Sequence, residues 1–465
     1  MKFQYIKVIT IIVIFELTHI INAAPLSPTN CPLTCTCDLT SQRLTISLCK
    51  NQTQSEFTLP SNFTLDPGLI NVTSIYATNC LIETVPSNIC EYPNLTVINF
   101  SRNKITNLLS SSFDCLSNLN DIFLDNNNIT TLTEVFNSLK NIQSIHLANN
   151  KILEISQNAF IGLSSLNSLE LSNNQLKFLA PNMFDGLTNL STLELNNNQI
   201  QEIPSNAFNG IPNLKNLDLS SNQISIIDNS TFSSLPNLER IFLSSNIITQ
   251  ISNDTFTNLN QLQYLYLSKN KIDQQLDGLF NGLTNLHYLD LSDNLLTTME
   301  LWPTYLSNIS LILLRFNRIE KFTNNLGWYL RNSSLLPPLS SSAQIDLQYN
   351  NITQFDDETI AQYGVKTYDD FSELMIKYLS IFNLEHNPIF CNCKASAALT
   401  ANSIILLRNN SFLENSYLYN SYCYSPIKYS NTSLLTFDTC LSNAKMNNLN
   451  KYLFAFVYIW SLFSL

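Results

Sequence analysis

The chain has 465 residues and carries 24 Lys+Arg against 35 Asp+Glu, a net charge of −11. That balance argues against nucleic acid or an anionic membrane surface as partner, because both are bound through basic faces. Its 8 glycines and 16 prolines do not gather into a flexible linker, so one continuous domain is expected despite the length.

Lys2 and Lys7 precede an apolar run from Val8 to Phe15, and small residues follow at Ala23 and Ala24. This order of charged, apolar and small residues reads as a secretory signal peptide over residues 1–23. Residues 24–71 then hold a tight group of cysteines, Cys31, Cys35, Cys37 and Cys49. On a secretory route such a group favours disulfides over a metal site, and no histidine lies near it.

From residue 72 to 386 a period takes over. Leu166-Asn-Ser-Leu169-Glu-Leu171-Ser-Asn-Asn174-Gln-Leu176 returns at Leu190 and again at Leu214, in the form L-x-x-L-x-L-x-x-N-x-L. That form is the leucine-rich-repeat signature. Cys80, Asn103, Asn127, Asn150, Asn174, Asn198, Asn222, Asn246, Asn270, Asn294, Asn317, Asn350 and Asn387 fill its ninth position, so thirteen repeats follow, spaced 23 or 24 residues until the last two. Phe136, Phe160, Phe184, Phe208, Phe232, Phe256 and Phe280 keep the same beat. The alternating Leu-x-Leu predicts a short strand with one face inward, and no single repeat can enclose its own leucines, so neighbours must stack. The fold class expected is an α/β solenoid, a horseshoe with a concave parallel β-sheet and short helical or 3₁₀ turns on the convex side. The ladder asparagines are expected to satisfy buried backbone groups where the chain leaves the sheet. Cys80 in that ladder should remain a thiol. Cys90 and Cys115, in the convex segments of adjacent repeats, are expected to form a disulfide. Late in the chain the beat lengthens, with extra residues around Phe322–Ser342 and Asp356–Tyr378.

Residues 387–441 hold a second group of cysteines, Cys391, Cys393, Cys423 and Cys440, opened by Asn387-Pro388. Repeats between two C-x-C clusters, with Asn-Pro before the second, resemble the animal extracellular leucine-rich-repeat family over residues 31–440. That resemblance implies cap disulfides Cys31–Cys37, Cys35–Cys49, Cys391–Cys423 and Cys393–Cys440. The last segment, 442–465, has small residues at Ser442 and Ala444, a polar spacer, and an apolar tail from Leu453. As a helix the tail is too short to span a bilayer, and the order matches a glycolipid-anchor signal with Ser442 as attachment residue. The family has glycolipid-anchored members, and the resemblance implies adhesion, co-receptor activity or ligand capture at the outer face of the plasma membrane. A secreted matrix or scaffold protein without an anchor is the other reading.

Fourteen Asn-x-Ser/Thr sequons, at Asn51, Asn62, Asn71, Asn94, Asn99, Asn128, Asn189, Asn229, Asn253, Asn308, Asn332, Asn351, Asn409 and Asn431, predict a glycosylated surface. No convergent catalytic constellation is legible: three histidines outside the signal segment, His146, His287 and His386, are widely spaced. No enzyme, metal or cofactor is expected. The ligand site is placed instead on the outward positions of the sheet. There the acids Glu170, Glu194 and Asp218 run into the aromatics Phe242, Tyr264, Tyr266 and Tyr288. Asn99 is the one sequon at a strand centre, and repeats five to ten carry none there. An extracellular protein with a basic contact surface is the expected partner, with membrane attachment through lipid only.

Overall fold

A computed structural model describes residues 36–40, 42–47, 72–276, 278–299, 306–322, 344–352, 382–383 and 386–387. It holds one sheet of fifteen strands taken in chain order. An antiparallel hairpin, Thr36–Thr40 with Arg43–Ser47, opens the sheet, and its second strand pairs in parallel with Ser74–Ala77. The parallel run continues through Val97–Asn99, Asp121–Phe123, Ser144–His146, Ser168–Glu170, Thr192–Glu194, Asn216–Asp218, Arg240–Phe242, Tyr264–Tyr266, Tyr288–Asp290, Leu311–Leu313, Gln344–Asp346 and Phe382–Asn383. Each strand is one repeat, so the architecture is the predicted solenoid.

Alternation along a strand buries its central residue and turns the two flanking ones outward. Leu169, Leu193 and Leu217 are therefore enclosed between coils, while Ser168 and Glu170, Thr192 and Glu194, and Asn216 and Asp218 face out. The core is a ribbon of Leu and Ile with a row of phenylalanines behind it. Phe136, Phe160, Phe184 and Phe208 stack with centroids 6.3–6.5 Å apart. The row begins one repeat earlier than the period suggested, since Phe113 lies parallel to Phe136 at 6.1 Å.

The ladder asparagines are buried, and each bridges two coils. The Asn198 amide nitrogen donates to the Leu171 and Leu195 carbonyls, both at 3.0 Å, and its oxygen accepts from the Leu176 N–H at 3.0 Å. Cys80 heads this ladder as a buried thiol, its S–H directed at the Thr78 carbonyl 3.5 Å away. A second, solvent-facing ladder was not legible in the sequence. Asn189, Asn213, Asn237 and Asn308 each donate to a carbonyl of the preceding coil, at 2.8–3.0 Å.

On the convex side the structure is sparer than expected. Among the described residues one 3₁₀ helix forms at Ser87–Glu91, short parallel pairs such as Thr131–Leu132 with Glu154–Ile155 follow the ladder, and single turns such as Leu163 N–H to Phe160 C=O close the coil. Once strand, ladder and phenylalanine are placed, a 24-residue coil leaves too few residues for a longer helix. Cys90 and Cys115 are joined in a disulfide, Cα to Cα 5.5 Å, that ties the first coils together. Cys37 is also disulfide-bonded. The other cap cysteines, both late insertions, Ser442 and the sequons Asn51, Asn62, Asn71, Asn332, Asn409 and Asn431 lie outside the described residues.

Candidate ligand-binding face

In-register parallel pairing aligns one outward residue from each coil into a single column. His146 pairs with Glu170, Glu170 with Glu194, Glu194 with Asp218, and Asp218 with Phe242. The column continues from Phe242 to Tyr266 and on to Asp290. Tyr264 and Tyr288 belong to the neighbouring outward column and pair with each other. All seven residues read from the sequence thus lie on one continuous surface, with strands about 4.8 Å apart.

The acid half is a graded electrostatic row. Nδ1 of His146 meets Oε2 of Glu170 at 3.0 Å, and the opposite face of the imidazole is covered by the Phe123 ring at 4.3 Å. Burial alone would lower the His146 pKa, but the Glu170 hydrogen bond and the nearby Asp125 and Asp121 carboxylates raise it. Glu194 stands between two acids with no cation on either adjacent strand. Burial, then the charges of Glu170 and Asp218, push it up to about 7. Asp218 is also raised by burial, against the pull of the Ser220 hydroxyl and N–H that bond its Oδ1 at 2.6 and 2.9 Å.

These shifts share a sign. A carboxyl raised above its unfolded value holds a proton in the folded chain that the unfolded chain has released, so its stabilisation is lost as pH rises through the folded pKa. For a histidine raised by its carboxylate neighbour the direction is the same. The protein should therefore melt higher near pH 6 than near pH 8. Glu194→Gln should recover about 1–2 kcal/mol at pH 8, a figure reduced for solvent screening on an open face. Calorimetry at the two pH values checks this, and a wild-type melting temperature that climbs with pH would reverse the assignment.

The aromatic half is tightly arranged. Phe242 and Tyr266 stack at 4.6 Å, Tyr266 meets Tyr288 at 4.9 Å, and Tyr264 meets Tyr288 at 6.5 Å. Arg240, which sequence reasoning missed, lies 5.2 Å over the Tyr264 ring and donates to Asn216 Oδ1 at 2.9 Å. Its charge is thus partly committed within the sheet. Asp290, next in the same outward column, is not exposed. It is buried beside the tyrosines and held by the Ser292 hydroxyl and N–H, because taller neighbours overshadow a short side chain. His146 and Phe123 also belong to the surface, and their place in the same outward column was the signal for them.

Of the described sequons, Asn99 does face outward from its strand, and its Oδ1 accepts the Ser101 N–H at 3.0 Å. Asn189, Asn229, Asn253 and Asn308 are exposed and away from the strand face. Among the described residues no group of His, Cys, Asp and Glu converges as metal ligands, and no helix is long and apolar enough to cross a membrane.

Comparison with known proteins agrees with this geometry. The family described as leucine rich repeat matches residues 93–152, 140–200, 164–224, 188–247, 212–272 and 236–296. No curated protein sequence matches the chain. Among solved structures it is similar to Toll in the Drosophila Toll–Spatzle complex, at 20% identity and TM-score 0.52, over 80% of this chain and 54% of that one. The chain thus spans about half the length of the Toll chain it matches. It is similar also to a chain of the octameric complex of latrophilin 3, Unc5D and the FLRT2 leucine-rich repeats, at 19% identity and TM-score 0.57, over 89% and 99% of the two chains. A chain of the LRIM1/APL1C complex aligns at 17% identity and TM-score 0.53, over 68% and 53%. At such identities the likeness is one of fold. Together with the repeated phrase, the in-register sheet and the asparagine ladder, it gives this chain a leucine-rich-repeat solenoid fold, with the family model matching residues 93–296.

Proposed function

We propose that the protein captures an extracellular protein ligand on its concave sheet, as an adhesion molecule or co-receptor, and that the ligand presents a basic contact surface. The observation that carries this reading is the single column in which His146, Glu170, Glu194 and Asp218 run directly into Phe242 and Tyr266. A row of acids without intervening cations steers a basic partner, and half-buried rings beside it supply the apolar contact that holds it. Outside the cell, the Cys90–Cys115 disulfide is in its ordinary redox setting. Two structural neighbours were solved in protein complexes, Toll with Spatzle and FLRT2 with latrophilin 3 and Unc5D, which accords with a protein rather than a small-molecule ligand.

The test is a Phe242→Ala, Tyr266→Ala double variant, examined against a ligand identified by screening cell-surface and secreted proteins with the soluble chain. Both residues are outward-facing, so the variant should fold, and binding should weaken by at least 2 kcal/mol, roughly 30-fold. Raised salt should slow association more than it speeds dissociation. Wild-type affinity in the double variant would move the site off this face.

A further inference from the structure

At the eighth position of every repeat, just before the ladder residue, the backbone adopts the left-handed conformation. Asn126, Asn149, Asn173 and Asn197 sit there with φ of 55–58°, followed by Ser221, Ser245, Lys269 and Asp293 at 55–59°. Asparagine tolerates this geometry well, and a bulky ring tolerates it poorly. Yet three late repeats place Phe316, Tyr349 and His386 at this position, with φ of 57°, 56° and 61°. Their rings lie parallel, Phe316 to Tyr349 at 4.5 Å and Tyr349 to His386 at 4.3 Å. Phe316 is nevertheless 45% exposed and Tyr349 43% exposed, whereas the phenylalanines behind the sheet are fully enclosed. Neither backbone preference nor core burial accounts for large rings on this rim.

The rim continues the aromatic half of the concave face. Tyr288 pairs with Leu311, and Leu313, three residues before Phe316, follows Asp290 in the outward column. Arg315 and Arg318 are exposed on either side of the ladder residue Asn317 and are interspersed with Glu320 and Asp346, so this end lacks the unbroken row of acids found at Glu170, Glu194 and Asp218. The acid row and the rim stack therefore stand well apart on one surface. Glu194 and Asp346 are six strands apart, about 29 Å along the sheet.

We propose that the Phe316–Tyr349 stack anchors the apolar part of a protein partner whose basic part lies over Glu170, Glu194 and Asp218, so that the partner docks in one direction along the sheet. The inference rests on the concave-face reading above and adds to it a second contact and an orientation. The partner it describes carries a basic and an apolar patch roughly 25–30 Å apart, the reach of a 20-residue helix.

A Phe316→Asn, Tyr349→Asn double variant of the full chain tests it, because asparagine is what the fold already carries at this position. Three probes are used: octalysine, a 20-residue helical peptide with lysines in its first half and leucine and tryptophan in its second, and a peptide of the same composition with the two classes intermixed. The block peptide should bind the wild-type chain at least tenfold more tightly than the intermixed one. The double variant should melt no lower than wild type, lose that tenfold advantage, and bind octalysine unchanged. A lower melting temperature would make the stack a structural staple and overturn the proposal. So would block-peptide binding that the variant leaves intact while octalysine still binds, although the concave-face reading would then survive. Octalysine binding that is absent, or indifferent to a Glu170→Gln, Glu194→Gln variant, would overturn both.

Discussion

Asn198→Ala should lower the unfolding free energy by about 2–4 kcal/mol. The side chain is buried and accepts from the Leu176 N–H, which has no second partner, while donating to the Leu171 and Leu195 carbonyls, which Asn174 and Asn222 also reach. Alanine strands the N–H, at about 1–3 kcal/mol, and takes one of two donors from each carbonyl, at about 0.5–1 kcal/mol apiece, part of it recovered by local relaxation. The outer ladder supplies the control. Asn189 donates to the Ser164 carbonyl at 2.9 Å from an exposed position, so Asn189→Ala leaves that carbonyl to water and should cost no more than about 1 kcal/mol. Urea titrations of the two variants decide the matter, and equal losses would mean that the inner ladder does not hold the coils together.

Phe184→Ala should be of comparable severity, about 3–5 kcal/mol, for a different reason. Phe184 is fully enclosed and lies between Phe160 and Phe208, each at 6.3 Å. Removing its ring opens a cavity shared by three coils, and a stack whose members touch only their neighbours has no distant core to collapse into the gap. The melting transition should broaden as well as shift, because coupling between the two halves is weakened at one coil. Phe242→Ala, on the outward face, should change stability by less than about 1 kcal/mol. A narrow transition at the wild-type temperature for Phe184→Ala would show that the row behind the sheet is filler.

The period was the most legible feature, and physics explains why. Leucines at fixed intervals state which side of the chain is enclosed, and the same count assigns Glu170, Glu194, Asp218, Phe242 and Tyr266 to the outward side. A period gives direction but not height or tilt. It had no means of showing that Asp290, which pairs with Tyr266 in the outward column, would be buried beside the tyrosines. Nor did it pair His146 with Glu170 or lay Arg240 over Tyr264, since those contacts depend on side-chain torsions after the strands are in register. The rim stack was hidden for another reason. Phe316 and Tyr349 occupy a position with no hydrophobic signature, and only the positive φ distinguishes rings there from ordinary exposed aromatics.

The link between Cys90 and Cys115 has a mechanical meaning. A solenoid pulled from its end peels coil by coil, and each released coil adds its extended length to the tether. Here 25 residues of sequence separation are closed by a covalent bond. That length, about 80–90 Å when fully extended, is withheld from the tether however hard the chain is drawn. A protein gripped by a ligand on its concave face would meet the first stretch of load as a stiff strut, and reducing the bond would turn that stretch into slack.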